Sequence, residues 1–230
     1  MHLNSPVRQL EASIDAITVT LASGRVMTAR QLVLALPPRL AAQLEFAPAL
    51  PVPTITAMTT CATWMAGQAK AVAVFDTPFW RDQGLSGDAM SRRGPMVEIH
   101  DASPARDGPC ALFGFIGVPP DHRHDRAALE QAVTAQLVRL FGPQAAAPRA
   151  LHLKDWAADP YTATDADRAP LTSHPRYGLP DAMRGLWGGR LLFGGTETAA
   201  HFGGYLEGAL EAAEDVLSRV HHVAQSPNHA

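Results

Sequence analysis

The feature that most constrains the fold of this chain is its closing segment, "LLFGGTETAAHFGGYLEGALEAAEDVLSRV", which runs from Leu191 to Val220. An apolar run, a glycine-rich turn with one acid and a stretch of apolar residues at helical spacing predict a buried strand, a turn and an amphipathic helix. The free N–H groups and the positive dipole end of such a helix favour an electron-rich group at its start, and Gly203 and Gly204 would let the backbone approach that group closely. The same pattern is also typical of a plain strand–turn–helix packing unit, so the segment alone leaves both interpretations open.

The remainder of the chain alternates strand and helix patterns. Residues 14–38 predict three strands, with "ASGR" as a hairpin turn and a double proline as the end of the third. There follow a short helix in "RLAAQL", strands in "QAKAVAVF", "GPMVEIH" and "ALFGFIG", a helix from Asp125 to Gly142 and a strand in "ALHLKDW". Residues 157–189 are predicted to be mostly loop. This order of elements predicts an α+β or mixed α/β fold.

Composition and charge limit the classes of function. The 230 residues are 47% hydrophobic and 18% charged, which is typical of a folded globular protein. A net charge of −3 does not favour nucleic acid as a partner, and no run approaches the roughly 20 apolar residues that span a bilayer. The N-terminus lacks the pattern of a signal peptide, and Cys61 and Cys110 stand in no metal or redox spacing. We therefore expect a cytoplasmic protein that binds neither nucleic acid nor a membrane.

The segment "GGTETAAHFGGYLEGALEAAE" closely resembles the C-terminal signature of the flavin-dependent amine oxidases, the monoamine oxidase family. The resemblance implies that FAD is bound by two short stretches, which are Gly195, Thr196 and Glu197, and then Gly204, Tyr205 and Leu206. It places the helix start against the N1 and C2 carbonyl side of the flavin, where negative charge gathers on reduction. It also makes the Tyr205 ring one wall of an aromatic slot for the amine. From the residues alone, a half-buried packing tyrosine is the alternative.

Earlier stretches extend the resemblance over nearly the whole chain. "LVLALPPRLAAQLEFAPALP" is similar to the family's strand, double proline and F-x-P-x-L-P sequence. "WMAGQAKAVAVFDTPFW" resembles the stretch whose lysine lies near flavin N5, and Lys70 is the matching residue; a strand lysine whose ammonium reaches solvent is the alternative. The backbone of Val7 matches a contact with the FAD adenine, and Trp156 matches the tryptophan that precedes the flavin-side loop.

The resemblance implies the C-terminal part of a two-domain FAD-linked amine oxidase fold, with a mixed-sheet substrate domain and a partial FAD-binding domain. Residues 1–59 would belong to the partial FAD-binding domain, residues 60–158 would form the substrate-binding domain, and residues 159–230 would be the C-terminal FAD-binding segment.

The sequence departs from the family pattern in two ways. The strand–GxGxxG–helix unit that binds the FAD pyrophosphate is absent from these residues. The position of the cysteine that binds FAD covalently in some members falls at Asp165, so we expect non-covalent FAD, held with the help of an N-terminal half that this sequence lacks. The second wall of the aromatic slot falls at Ala166, for which Tyr161 or Tyr177 could substitute.

We therefore expect an FAD-dependent amine oxidase polypeptide, or part of one, that oxidises the C–N bond of a small-molecule amine to an imine while O2 is reduced to hydrogen peroxide. Lys70 and Tyr205 would be its catalytic residues. A partner chain that carries the GxGxxG unit, or a homo-oligomer, would complete it. A catalytically inactive truncated remnant, or a non-enzymatic binding module of the same family, is the alternative. The segment "DHRHD" (residues 121–125) predicts a solvated helix start rather than a metal site, and we expect no metal.

Overall fold

The structure is a computed structural model that describes residues 1–105 and 108–225, with the backbone alone for residues 221–225. Its strands are β1 (Val7–Ala12), β2 (Ile17–Leu21), β3 (Val26–Ala29), β4 (Leu32–Leu34), β5 (Glu45–Ala47), β6 (Ala69–Phe75), β7 (Ala89–Met90), β8 (Met96–Asp101), β9 (Cys110–Ile116), β10 (Ala150–Asp155) and β11 (Leu191–Phe193). Its helices are α1 (Pro38–Ala41), α2 (Val52–Thr60), α3 (Phe79–Asp82), α4 (Arg126–Phe141) and α5 (Leu206–Gln225), and short 3₁₀ turns lie between them. This mixture confirms the predicted α+β or mixed α/β class.

The chain divides into two units. The first unit consists of Met1–Trp64 and Leu171–Ala230, and the second unit is Met65–Pro170. The assignment of residues 1–59 and 159–230 to FAD binding and of residues 60–158 to substrate binding stays a prediction.

The second unit is built on a five-stranded antiparallel sheet in the order β10-β6-β9-β8-β7. Because side chains alternate along a strand, β6 buries every second residue on one face and turns Lys70 to the other. Helix α4 packs on the buried face. It begins at the cap residue Asp125, whose carboxylate accepts from the N–H of Ala128 (2.9 Å), and it ends at Gly142, as the sequence predicts. The core between sheet and helix includes Ala69, Ala71, Ala73, Phe75, Leu112, Leu129, Val133, Leu137 and Phe141.

The first unit contains two sheets. One has four strands in the order β3-β2-β1-β5, with β1 and β5 parallel; the other consists of β4 and β11, which run parallel with Leu32 beside Leu191. Within the described residues, β4 and β11 pair only with each other. Side chains from both sheets and from α2 share one core, which includes Leu10, Val19, Leu21, Leu34, Met58, Leu191 and Phe193.

The three strands predicted in residues 14–38 are β2, β3 and β4, and the predicted closing strand and helix are β11 and α5. Sequence reasoning missed β1 and α2. Strand β1 fully buries only Leu10, so its residues show no clear alternation. Helix α2 begins in a proline-rich stretch, with Pro51 as its cap and Pro53 in its first turn. Proline is tolerated there because the first N–H groups of a helix have no helical acceptor, but in a sequence it reads as a break.

Candidate functional site

The glycine-rich turn and the start of α5 are joined by Thr196. Its hydroxyl donates to the backbone carbonyl of Tyr205 (2.8 Å) and accepts from the N–H of Gly204 (2.9 Å). A 3₁₀ turn over Thr196–Thr198 positions this hydroxyl. The two stretches that the sequence singled out, Gly195–Glu197 and Gly204–Leu206, therefore lie together in the first unit.

The start of α5 offers free backbone donors. The N–H of Ala209 donates to the carbonyl of Tyr205 (3.2 Å), where the helical ladder begins. Among the described residues, the N–H groups of Leu206 and Glu207 have no protein acceptor. Since these donors stand at the positive end of a 20-residue helix, they can stabilise partial negative charge on a carbonyl oxygen or a ring nitrogen.

Gly203 and Gly204 make room for other side chains of the first unit. A Cβ on Gly203 would lie 2.4 Å from the Cβ of Tyr177. A Cβ on Gly204 would lie 3.0 Å from Cε2 of Tyr177 and 3.2 Å from Nε2 of His174, and the φ of 84° at Gly204 itself favours glycine. Tyr177 and His174 therefore lie against these glycines, and the expectation that they bring the backbone close to a ligand stays a prediction.

Tyr205 belongs to an aromatic cluster. It stacks on His174, with the ring centroids 5.2 Å apart and the planes within 2°. Trp64 and Tyr177 contact the same histidine at 4.6 Å and 5.5 Å. The Tyr177 hydroxyl donates to the carbonyl of Ala62 (2.7 Å) and accepts from the N–H of Trp64 (2.8 Å), so it is held from both sides. Tyr205 is 56% exposed, and it therefore offers an aromatic surface supported from within the unit.

The ring that contacts Tyr205 is one that sequence reasoning missed. Tyr177 is occupied by the hydrogen bonds just described, and Tyr161 lies in the second unit with 72% of its surface exposed. The ring stacked on Tyr205 is His174, whose Nδ1 lies 2.9 Å from the carbonyl of Pro175; in the neutral ring that nitrogen donates and Nε2 keeps the lone pair. His174 stands in a long loop, where no periodic pattern could have indicated its position.

Glu211 orders the loop that precedes α5. Its carboxylate accepts from the backbone N–H groups of Ala200, His201 and Phe202 and pairs with Nδ1 of His201 at 2.8 Å. The hydrogen bond from the His201 side chain, followed by those from the backbone, lowers the pKa of Glu211 below its ordinary value. The sequence pattern places Glu211 on the polar side of the helix, and only the folded turn shows what it binds.

Lys70 lies on the face of the second unit's sheet that is opposite the core. Its neighbours across the ladder are Lys154 on β10 and Phe115 on β9. Its ammonium is 5.1 Å from the ring centre of Phe115 and 5.9 Å from that of Phe113. These cation–π contacts stabilise the ammonium group on this face of the sheet. The approach of Lys70 to a flavin stays a prediction.

Trp156 directly follows β10. Its backbone N–H donates to the carbonyl of Gln68 (3.0 Å), and this hydrogen bond connects Trp156 to the residues that lead into β6. The ammonium of Lys154 lies 4.7 Å from the Trp156 ring centre and pairs with Asp159 at 2.5 Å. Trp156 therefore lies directly after β10, the strand that pairs with β6, which carries Lys70.

Arg123 is the buried exception in "DHRHD", whose other four residues are exposed, as expected of a solvated helix start. Its side chain is only 4% exposed and binds Asp155 (2.8 Å) and the carbonyls of Gly67 (3.0 Å) and Val118 (2.6 Å). It therefore holds the end of β10 and the approach to β6 together. In the described ranges 1–105 and 108–225, no group of three His, Cys, Asp or Glu side chains could hold a metal ion.

The other predicted site residues lie in the first unit. Val7 begins β1 and pairs with Leu21. Glu197 is buried within the turn, with 4% of its surface exposed. Of the predicted set, Lys70 and Trp156 alone belong to the second unit. Among the helices that the structure describes, none has both the length and the apolar character needed to cross a membrane.

Comparison with known proteins gives a consistent result. The profile of a family described as flavin containing amine oxidoreductase matches residues 1–220. The probable flavin-containing monoamine oxidase A of Dictyostelium discoideum is 30% identical over 221 residues, which are 95% of this chain and 48% of that protein. Flavin-containing amine oxidase B of Sus scrofa is 27% identical over 235 residues, with 96% of this chain and 43% of that protein covered. The chain therefore spans about half the length of the curated relatives it matches.

Solved structures agree with this. Cyclohexylamine oxidase from Brevibacterium oxydans is 28% identical with a TM-score of 0.73, and the match covers 96% of this chain and 49% of that one. Wild-type putrescine oxidase bound to putrescine, at 22% identity and a TM-score of 0.71, shares the fold over 97% of this chain and 49% of that one. These neighbours confirm the prediction that the fold corresponds to part of an amine oxidase.

Proposed function

This chain belongs to the flavin containing amine oxidoreductase family, and on that basis we propose that it is an FAD-dependent amine oxidase polypeptide, or one part of such an enzyme. It would oxidise the C–N bond of a small-molecule amine to an imine, with O2 reduced to hydrogen peroxide. The observation that carries this proposal is the start of α5, where Thr196 holds the turn beside two backbone amides that have no protein acceptor among the described residues. When bound, FAD would accept the hydride equivalent from the carbon next to the amine nitrogen and pass the electrons to O2.

The residues at the start of α5 fit the ring end of such a cofactor. The N–H groups of Leu206 and Glu207 would donate to an electron-rich carbonyl and ring nitrogen, and the helix dipole would stabilise the charge that gathers there. Because Thr196 fixes the backbone at Gly204 and Tyr205, these donors need little reorganisation. We propose non-covalent binding, since Asp165 stands where covalent members of the family have a cysteine.

Lys70 would supply a positive charge beside the reacting atoms. Contacts with the rings of Phe113 and Phe115 would keep the Lys70 ammonium close to the face of the sheet. The ammonium could then donate a hydrogen bond to a water in a defined position. An oriented water and a nearby positive charge would both favour the transfer of electrons to O2.

Tyr205 would form one wall of the slot for the amine. His174 stacks on its ring and Trp64 packs against His174, so that the wall is rigid before the substrate arrives. The amine nitrogen would meet this aromatic surface in its neutral form, because only a neutral nitrogen has the lone pair that assists loss of hydride from the adjacent carbon.

The remainder of the FAD site would come from a strand–GxGxxG–helix unit, which these 230 residues do not contain. We propose a partner chain as its source and the cytoplasm as the setting. Without the pyrophosphate contacts, the isolated chain would lose about two charge-assisted hydrogen bonds to FAD and bind it weakly.

Titration of the isolated chain with FAD tests the proposal, with quenching of flavin fluorescence as the readout. We expect saturable quenching. The variant Thr196→Val should bind FAD about tenfold more weakly, because the hydrogen bonds of the Thr196 hydroxyl to the backbone of Gly204 and Tyr205 are lost. Thr28→Val, an exposed threonine of β3, is the matched control and should bind like the unchanged chain. If neither the isolated chain nor the chain with its partner quenches flavin fluorescence, the proposed function is wrong.

The role of Lys70 has its own test in the reconstituted enzyme. Lys70→Met should slow flavin reoxidation by O2 in a stopped-flow experiment. Lys154→Met, its neighbour across the ladder, is the control, since the charge of Lys154 is already paired with Asp159. Equal reoxidation rates for all three proteins would remove Lys70 from the mechanism.

The alternative is a remnant or binding module of the same family without activity. The absence of a GxGxxG unit from this sequence favours it. A colourless chain that binds an amine but no flavin would support a binding module, and a chain that binds neither would support an inactive remnant.

A further inference from the structure

A histidine of the second unit is bonded through both of its ring nitrogens. His100, on β8, lies across the ladder from Phe113 on the sheet face opposite the core. Its Nε2 lies 2.7 Å from Oε1 of Glu98, two residues earlier on the same strand, and its Nδ1 lies 3.0 Å from Oδ1 of Asp88. Asp88 directly precedes β7, so the imidazole connects β8 to the start of β7. We name His100, Glu98 and Asp88 the β7 clip.

The protonation state of His100 follows from its two partners. Ionised carboxylates accept hydrogen bonds and cannot donate them, so each ring nitrogen must carry a proton to bond its carboxylate. Only the charged imidazolium carries both protons. The hydrogen bond with Glu98, followed by that with Asp88, raises the pKa of His100 above its ordinary value of 6.5. The β7 clip is therefore complete when His100 is charged.

The elements around His100 bring an aromatic ring and a cation near it. On β9, the Phe113 ring stacks on the imidazole with the ring centroids 6.4 Å apart. The ammonium of Lys70, on β6, lies 5.9 Å from the centre of the same phenylalanine ring. Strand β7 itself contributes uncharged side chains, and the carboxylate of Asp101, the next residue of β8, pairs with Arg81. The charges bonded directly to His100 are therefore the two carboxylates of the β7 clip.

Strand β7 is short and lies at the edge of the sheet. It consists of Ala89 and Met90, and in the part of the chain that the structure describes it pairs with β8 alone. Ala89 is half-buried, whereas Met90 is 80% exposed. Elements with few buried apolar contacts open locally at a low cost in free energy. One hydrogen bond at the start of β7 can therefore change how often this strand opens.

We propose that the β7 clip is a pH-sensitive switch: charged His100 binds Asp88 and holds β7 to β8, and loss of the proton releases β7. A neutral ring has one N–H, which the shorter contact keeps at Nε2 on Glu98. Nδ1 then directs a lone pair at the Asp88 carboxylate, so this contact becomes repulsive. Since the pKa of His100 is raised in the folded state, the clip is complete below about pH 6.5 and is lost as the pH rises through the folded value. The switch involves no cofactor and does not depend on the proposed function.

Hydrogen exchange of the full chain, measured by mass spectrometry at pH 5.5 and pH 8.5, tests the switch. After correction for the intrinsic effect of pH on exchange, the peptide that contains β7 should lose protection by about two- to tenfold at the higher pH, relative to peptides of α4; this range corresponds to one hydrogen bond. In His100→Phe this pH dependence should vanish. The control is His152→Phe, on β10 of the same sheet, which is exposed and should retain the pH dependence. Equal relative protection of β7 at both pH values in the unchanged chain, or a pH dependence that persists in His100→Phe, would overturn the proposal.

Asp88→Asn provides a test in the opposite direction. An amide can accept from a charged imidazole and donate to a neutral one, so β7 of this variant should stay protected at both pH values. The side chains of His100, Asp88 and Glu98 are 43%, 61% and 42% exposed, so we expect both clip variants to fold like the unchanged chain.

A titration of the histidine ring protons by NMR decides the question even if a variant does not fold. In the unchanged chain His100 should titrate above pH 6.5, and in Asp88→Asn it should titrate at a lower pH. Titration of His100 at or below pH 6.5 in the unchanged chain, or a loss of β7 protection in Asp88→Asn equal to that of the unchanged chain, would refute the switch.

Discussion

Asp101, at the end of β8, is the clearest place to test the energetics of the second unit. Its carboxylate accepts from the indole N–H of Trp80 (2.8 Å), from Arg81 (2.7 Å) and from the N–H of Ser103 (2.8 Å). Trp80 is fully buried, so this carboxylate links the core at α3 to the sheet. Burial of Asp101 opposes its ionisation, but the hydrogen bonds from Ser103, Trp80 and Arg81 together outweigh it and lower its pKa from 3.8 to about 2.

The magnitude follows from this difference in pKa. Each pKa unit corresponds to about 1.4 kcal/mol, so ionised Asp101 stabilises the folded state by about 2 kcal/mol. Because the folded pKa lies below the unfolded one, this contribution is present above about pH 4 and is lost as the pH falls towards 2. We expect Asp101→Asn to lower the free energy of unfolding by about 2 kcal/mol at pH 7, and the difference from the unchanged protein to shrink below pH 4.

Urea denaturation followed by tryptophan fluorescence at pH 7, 5, 4 and 3 measures this difference. Asp76→Asn is the matched control, since Asp76 lies in the same unit with 81% of its side chain exposed. We expect that substitution to change stability by less than about 0.5 kcal/mol at every pH. The reasoning is refuted if Asp101→Asn resembles the control at pH 7, or if its effect is the same at pH 3 as at pH 7.

Three further predictions concern the remaining buried or bonded groups. Glu211→Gln should speed amide hydrogen exchange in the loop before α5, because the loop N–H groups lose their carboxylate acceptor. Since the pKa of Glu211 is lowered in the folded state, the loop of the unchanged protein should lose its protection as the pH falls below about 4.5. The variant should show little change over the same pH range. Arg123→Met should lower the free energy of unfolding by about 3 kcal/mol in urea melts, because the carboxylate of Asp155 loses its buried partner; a loss under 1 kcal/mol would contradict the role assigned to Arg123. Gly203→Ala should lower the melting temperature, since its Cβ would lie 2.4 Å from that of Tyr177, at a cost of about 1–3 kcal/mol; an unchanged melting temperature would show that Tyr177 can move aside.

Local signals in the sequence were sufficient for several elements. Helix α4 has a capping carboxylate at Asp125 and a glycine at Gly142, and both ends are where the sequence predicts them. The closing strand, turn and helix are also local, since an apolar run, paired glycines and helical spacing each act within a few residues. The most specific family motif lies in the same segment, and the motifs predict an FAD-linked amine oxidase fold without any knowledge of tertiary contacts.

The sequence by itself therefore determined which residues form the elements and which stretch forms the start of α5. Only the tertiary structure decided what surrounds those residues, because the deciding contacts join positions far apart in the chain. Tyr177 lies against Gly203, and His174 stacks on Tyr205, from a loop that no periodicity places. Helical spacing shows that α5 has an apolar side, but the packing of α5 against β11 decides which sector is buried, and it leaves Leu206, Leu210 and Leu217 exposed.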